Sequence, residues 1–494
     1  MYYIGYDIGS SSVKVALVNA QTGKNIITVN EPSAEMAIKA LNKDWAEQDP
    51  ELWWEYACIG TKRAIKEANI DASEISGIGI SYQMHGLVVV DKEGVALRNS
   101  IIWCDSRAVE IGNKAFADLG QEKCMTHLLN SPGNFTASKL KWVKENEPEI
   151  YKDIYKYMLP GDFIALKLTG DITTTKNGLS EGMLWDYKEN KVADWLLDYY
   201  GIATSMTPRI VENFTNQGIV SEKGATESGL PVGIPVVYRA GDQPNNALSL
   251  NVLNPGEVAA TGGTSGVFYA VTETNVGKST RVNNFVHVNY DEQKPRIGKL
   301  LNINGAGIQY RWLRNNLGDE TYESMNEKAG KVAIGSAGLV VIPFGNGAER
   351  MFNNKNIGTH FLNLNLNIHN NSHLYRAALE GIAFSFVYGM ECLKEDNATI
   401  KVIRAGNDNL FRSELFSNTV ATLIGHEIEI YHTTGAVGAA RAVGLSDGDF
   451  EKFGDNISNN DHVMTFLPSK NKEEYLAAYN NWKKELEILL TQKK

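Results

Sequence analysis

Twice in this chain an apolar strand runs into a short loop of glycine and hydroxyl residues and returns along a second strand. The first instance is "YYIGYDIGSSSVKVALVN" at the N-terminus, where Val13, Val15 and Leu17 alternate. The second is "PGEVAATGGTSGVFYAVTE", after residue 250. Alternation of period two is the signature of a strand, and the Gly/Ser/Thr interruptions mark tight connections. Each hairpin is followed by further strands and helices. In the first half these are the strand "NIITV", a helix over "DPELWWEYACIGTKRAIKEA" and the strand "ISGIGISY". Asp49 can cap that helix and Pro50 suits its first turn. In the second half "KLLNING", "IKVIRAG" and "EIEIYH" read as strands, "HLYRAALEGIAFSFVYGMECLKE" and "SELFSNTVATLI" as helices. The repetition predicts an α/β chain of two similar domains, 1–248 and 249–494, with a cleft between them. The Lys-rich end "NWKKELEILLTQKK" predicts an exposed terminal helix.

Charge and composition exclude several classes. The net charge of −10 argues against nucleic-acid or anionic-membrane partners, because no basic excess offsets phosphate repulsion. No stretch approaches the ~20 apolar residues of a bilayer span. The chain enters its first strand without a basic or signal-like leader, so a cytoplasmic enzyme is expected. Cys58, Cys104, Cys124 and Cys392 lack metal-binding CxxC spacing and are expected as reduced, partly buried thiols.

The two loops carry the chemistry. Small residues let backbone N–H groups approach phosphate oxygens, and hydroxyls add donors. One such loop is ordinary turn chemistry, but two in matching places can clamp a nucleotide at an interdomain cleft. Neither is a P-loop, since GxxxxGK[ST] is absent. Isolated acids end apolar strands at Asp7 and Asp242, and a buried charge is costly unless something answers it. Asp242 reads either as a helix N-cap or turn residue, or as a general base for an alcohol attacking a phosphoryl group. Asp7, beside a phosphate loop, would hold Mg²⁺ through water.

Seven segments, "YDIGSSSVK", "WAEQDPELWW", "IIWCDSR", "GDQPNNA", "TGGTSG", "VIPFGNGAER" and "HLYRAALEGIAFS", resemble in their order the motifs of the FGGY carbohydrate kinases, over residues 3 to 445. The resemblance implies two ribonuclease-H-like domains of the actin, hexokinase and Hsp70 superfamily flanking a deep catalytic cleft. It also implies ATP with Mg²⁺ as phosphoryl donor, a small sugar as acceptor, and a homodimer; closure of the domains is expected because an activated phosphoryl in an open cleft would be hydrolysed. By the same resemblance Ser10, Ser11 and Lys14 join Asp7 in the first phosphate loop, and Gly263 and Thr264 form the second. Gly307 and Gln309 of "NGAGIQYRWLR" would lie against the nucleotide, and Asp242 would be the base with Gln243 beside it.

The segment "SYQMHGLVVVD" is similar to that of the branch of the family that phosphorylates D-xylulose on its 5-hydroxyl, in which Met84 and His85 touch the sugar. A His offers directional hydrogen bonds to vicinal hydroxyls and a Met packs on their carbon backbone, although a Met-His pair after a strand is by itself ordinary core and rim. Gluconate kinases share the pair, and ribulose and L-xylulose are further alternatives. A nucleotide-switched binding protein of the superfamily is the rival from another class, and it would give Asp242 and the Met-His pair no task. Two departures stand out. "VIRAGNDNLFRS" keeps only Gly406, followed by Asn407, Asp408 and Asn409, where the family has a triple-glycine adenine loop, so a reshaped adenine pocket is expected. "TTTKNGLSEGMLWD" carries Glu181 where the family has a small residue, and nothing in the sequence explains it. Trp53 and Trp54 read as core, Glu349 and Arg350 as a structural ion pair at the domain junction, and His373 and His432 as surface or satisfied histidines.

Overall fold

Both hairpins form, and each begins a sheet of the same order. The computed structural model describes residues 1–273, 279–318 and 320–492. It groups into two compact units. The first takes in Met1–Leu253, Asn284–Ile297 and Thr433–Asn460, and the second Asn254–Asn283, Gly298–His432 and Asp461–Lys494. Two segments distant along the chain, 284–297 and 433–460, therefore fold with the first unit.

In the first unit the strands lie in the order Val236–Gly241, Ile75–Tyr82, Tyr2–Ile8, Val13–Asn19, Asn25–Glu31. The N-terminal strand pairs antiparallel with Val13–Asn19 and parallel with Ile75–Tyr82, which is parallel to Val236–Gly241. Register places Asp7 opposite Ser81, and Gly241 opposite Tyr82. Three parallel strands thus end level, and the residues that follow them emerge at one edge of the sheet. That carboxyl edge is where open α/β sheets present their chemistry. In the second unit the order is Ile297–Ile303, Gly266–Thr272, Glu257–Gly262, Val402–Gly406, Ile428–Tyr431, His462–Phe466. The first five strands repeat the order of the other sheet, again with the hairpin antiparallel and the next two neighbours parallel.

Helices cover these sheets where the sequence supplies a cap and an apolar stripe. Helix Pro50–Ala68 starts at Asp49, whose side chain accepts from the Glu51 N–H, and ends at Asn69 in the left-handed region. It buries Trp53, Trp54, Ala57 and Ala64 against the first sheet, so both tryptophans are core. Trp53 Nε1 donates to Gln48 Oε1 at 3.2 Å, and Gln48 Nε2 donates to the Ser10 carbonyl at 2.6 Å. The core thereby fixes the first Gly/Ser loop. Trp53→Ala is expected to cost about 3–5 kcal/mol, read as a lowered urea midpoint at unchanged slope.

Helix Gly435–Ala442 approaches the first sheet so closely that only glycine fits beneath it. A Cβ on Gly5 would lie 2.1 Å from the Ala436 carbonyl oxygen, and one on Gly79 1.9 Å from that of Ala439. The C-terminal helix, expected to be exposed, runs Lys472–Thr491 and buries Tyr479, Trp482 and Leu486 in the second unit. Trp482 Nε1 donates to the Val341 carbonyl at 2.9 Å. Tyr475, Tyr479, Trp482 and Leu486 recur every three or four residues, so one apolar stripe faces the core although the sequence around it is rich in lysine. Among the described residues no helix is long and apolar enough to cross a membrane. Cys58, Cys124 and Cys392 are buried and Cys104 is exposed, all as free thiols.

Candidate active site

Asp7 stands at the carboxyl end of the central strand of the first unit. Its Oδ1 accepts from Ser81 Oγ at 3.2 Å, and Lys14 Nζ lies 3.5 Å from Oδ2. A Cβ on Gly435 would sit 2.7 Å from that same oxygen, so a glycine is needed where the helix Gly435–Ala442 starts. The helix N-terminus adds a partial positive charge there, and Asn245 Nδ2 holds the Gly435 carbonyl at 2.9 Å. In the adjoining loop the Gly9 N–H closes a turn on the Ser12 carbonyl at 3.0 Å. Ser10 Oγ accepts from Trp103 Nε1 at 3.3 Å, and the Ser11 carbonyl accepts from the Met36 N–H at 2.8 Å. Among the described residues no group of three or more His, Cys, Asp or Glu side chains can cage a metal. A single carboxylate with the Ser81 hydroxyl beside it fits Mg²⁺, which keeps several waters and binds through one or two carboxylates plus substrate phosphates.

Asp242 follows the strand Val236–Gly241 and opens the helix Asp242–Ser249. It is half-buried. Desolvation, and then the neighbouring Asp7 carboxylate, push its pKa up to about 7, against hydrogen bonds from Gln243 that favour the charged form. A carboxylate so tuned can take a proton near neutral pH. Met84 and His85 follow the neighbouring strand, and Met84 Cγ lies against the Cα of Gly241, where a Cβ would be 2.5 Å away. His85 has φ of 63°, a left-handed conformation for a non-glycine residue. Several groups hold it there. Its Nδ1 donates to the Glu181 carbonyl at 2.9 Å, so Nε2 is the acceptor nitrogen. Phe135 meets the ring edge-on at 4.7 Å. Lys139, fully buried, donates from Nζ to the His85 carbonyl at 2.8 Å and to that of Ile102 at 3.0 Å. Burial pulls its pKa down to about 7. The structure thus brings Asp7, Lys14, Met84, His85, Asp242 and Gln243 to one edge of one sheet.

The second unit holds a cavity of about 350 Å³, lined by Gly262, Gly263, Thr264, Gly307, Tyr310, Arg311, Asn326, Asn409 and Arg412 among others. Two loops make its floor. The Gly307 N–H donates to the Gly263 carbonyl and the Ile308 N–H to that of Thr264, each at 3.1 Å. A Cβ on Gly307 would lie 2.3 Å from the Gly263 oxygen, so the contact requires glycine. Tyr310 stacks on Tyr322 and donates to Asn326 at 3.0 Å, which makes a flat aromatic wall. Gln309 sits in the first turn of the helix Gly307–Asn316 with Oε1 on Thr359 Oγ1 at 3.0 Å and Nε2 without a hydrogen-bond partner. Gly406 ends its strand and the Asn407 N–H is engaged with the Tyr431 carbonyl at 2.7 Å. From this stretch the cavity wall is formed by Asn409, Leu410, Arg412 and Ser413.

Glu349 and Arg350 do not pair with each other. Glu349 is buried and accepts from the N–H groups of Asn304 at 3.0 Å and Gly305 at 2.8 Å, and Arg350 Nε donates to the Thr280 carbonyl at 2.9 Å. Burial raises Glu349 to about 7. Glu349 therefore anchors the "NGAG" loop of the cavity floor, through partners that no local pattern announces. Glu349→Ala leaves the buried Gly305 N–H unpaired at roughly 1–3 kcal/mol, and the part-buried Asn304 N–H at less. A lowered melting temperature with weakened nucleotide binding is expected by calorimetry, and an unchanged variant would remove this role.

The comparisons with known proteins agree on a family. The model of the N-terminal domain of the FGGY family of carbohydrate kinases matches residues 2–249, and that of the C-terminal domain matches 258–445. Xylulose kinase of Escherichia coli K12 is 29% identical over 447 residues, covering 89% of this chain and 88% of its own. A probable L-xylulose kinase of Haemophilus influenzae is 26% identical over 504 residues, covering 99% of each. Among solved structures, a xylulose kinase from Brucella ovis superimposes with a TM-score of 0.89 at 25% identity over 99% of both chains.

Proposed function

This chain belongs to the FGGY family of carbohydrate kinases, and on that premise we propose that it transfers the γ-phosphate of ATP to the 5-hydroxyl of D-xylulose, with Asp242 as general base. The observation that carries the reading is the tuned carboxylate of Asp242 beside Met84 and His85, at the edge where the first sheet presents its chemistry. D-Xylulose lies against Met84, with a hydroxyl donating to His85 Nε2. Asp242 takes the proton of the 5-hydroxyl as that oxygen attacks phosphorus in line, and the leaving oxygen stays on ADP. Lys14, beside Asp7, offsets charge that develops on the transferring phosphoryl. Asp7 would hold Mg²⁺, through water, and the bound ion would neutralise phosphate charge. The base and phosphate of ATP belong to the second unit, with Gly263, Gly307, Tyr310 and Asn409 as the residues that receive them.

The match to a probable L-xylulose kinase along the full chain favours L-xylulose as the second reading. A pH profile tests the base. A carboxylate must be ionised to accept a proton, so kcat/KM should fall tenfold per unit below an apparent pKa near 7 and level off above it. A profile flat down to pH 5 would remove Asp242 from that role.

A further inference from the structure

Glu181 is the buried acid that this mechanism does not use. It ends the helix Lys176–Glu181 and is 1% exposed. Its Oε2 presses on the Cα of Gly241, where a Cβ would lie 2.3 Å away, so the carboxyl sits directly behind the residue that precedes Asp242. It grips His85 twice: its backbone carbonyl receives the ring Nδ1–H, and its carboxyl receives the backbone N–H of His85. The remaining oxygen, Oε1, is buried, and the Tyr82 hydroxyl, buried as well, faces the carboxyl. Tyr82 has no room to turn away. Its ring is closed in by Gly161, where a Cβ would lie 2.1 Å from Cδ1, and its hydroxyl by Gly178.

The charges around Glu181 are one-sided. Asp242 faces it from the helix after the third parallel strand, and Asp162 from the helix Pro160–Thr169. Arg239, which acts on Tyr82, is bound to Asp162 at 3.0 Å. Burial first, and the Asp242 carboxylate second, raise the Glu181 pKa well above its ordinary value. An acid kept neutral in this way has a proton to donate, and the Tyr82 hydroxyl lies across from it to accept that proton.

We propose that Glu181 is a positioning residue of the sugar site: through its bonds to Tyr82 and His85 and its contact with Gly241 it holds the sugar-reading histidine and the base in register. Its neutrality leaves Asp242 the anion of the pair, and suits an uncharged polyol as substrate. The inference rests on the sugar-kinase reading above.

Glutamine imitates the protonated acid, since its amide accepts from the His85 N–H and donates to Tyr82. Initial rates of wild type, Glu181→Gln and Glu181→Ala over sugar and ATP concentration are the test. Glu181→Ala should raise the KM for sugar by about tenfold to a hundredfold, the scale of a ~1 Å misplacement, with the KM for ATP unchanged. Glu181→Gln should stay within about fivefold of wild type in both kcat and sugar KM, the scale of one altered hydrogen bond. A Gln variant as impaired as the Ala variant would show that a charged carboxylate is needed and overturn the proposal. An unchanged sugar KM in Glu181→Ala would also overturn it. A second readout needs no substrate. In ¹⁵N-histidine-labelled protein the Nδ1–H signal of His85 should persist in Glu181→Gln and shift or broaden in Glu181→Ala. If wild type phosphorylates no sugar while this signal behaves as expected, the kinase reading fails and the positioning role stands. A signal indifferent to both substitutions removes the role.

Discussion

Asp242→Asn should turn over about 10²–10⁴ times more slowly than wild type, the range for losing a positioned base, while binding ATP with unchanged affinity. Asparagine keeps the shape and the hydrogen bonds of the carboxylate but cannot take a proton near neutral pH. The first half of the expectation follows from where Asp242 lies, at the end of a parallel strand beside Met84, with its pKa raised to about 7 by desolvation and by Asp7. The second half follows from the cavity, whose lining residues all belong to the second unit. Single-turnover phosphoryl transfer and calorimetric ATP binding separate the two. Turnover within threefold of wild type would mean that another group, or solvent, accepts the proton.

Gly79→Ala should be nearly as damaging for a different reason. The helix Gly435–Ala442 lies on the first sheet through Gly5 and Gly79, and a Cβ at 79 would stand 1.9 Å from the Ala439 carbonyl oxygen. Backbone is in the way, not the end of a flexible side chain, so the helix must lift. The cost is expected at or above the roughly 1–3 kcal/mol of ordinary overpacking. The same displacement carries Gly435 away from Asp7, whose carboxylate it touches. Loss of stability and loss of turnover should therefore arrive together. Gly330→Ala, at a helix end with open space around its Cα, is the control, expected within about 0.5 kcal/mol of wild type. Chemical denaturation with activity measured on the folded fraction decides the matter, and a Gly79→Ala protein as stable as the control would contradict the packing argument.

How much of this was legible beforehand depended on how local the signal is. The hairpins Tyr2–Asn19 and Glu257–Thr272 and the capped helix Pro50–Ala68 were readable because alternation and capping are set by adjacent residues. Trp53 was readable as core because its stripe repeats along the helix. Partners that come from elsewhere in the chain were not. Glu349 stands next to Arg350, which invites an ion pair, yet its carboxylate is spent on two backbone amides of another loop. Glu181 is one acid in a short helix, and only the meeting of Tyr82, His85 and Gly241 around it gives it a task. The return of 284–297 and 433–460 to the first unit has no compositional mark, and the terminal helix hid its Trp482 anchor in a lysine-rich sequence. The reduced-glycine loop predicted a reshaped pocket, but which of its residues form the wall (Asn409 and Arg412, not Gly406) was a matter of three-dimensional course.

On the proposed function, the edge holding Met84, His85 and Asp242 receives a ketopentose for phosphorylation. The most direct test is the initial rate of ADP release from Mg-ATP with D-xylulose, L-xylulose, D-ribulose, L-ribulose, glycerol and gluconate, with Asp242→Asn run beside wild type. Strong stimulation by D-xylulose over the other acceptors, abolished in the variant, is the expected result. ADP release that no sugar stimulates, and that survives the substitution, would contradict it.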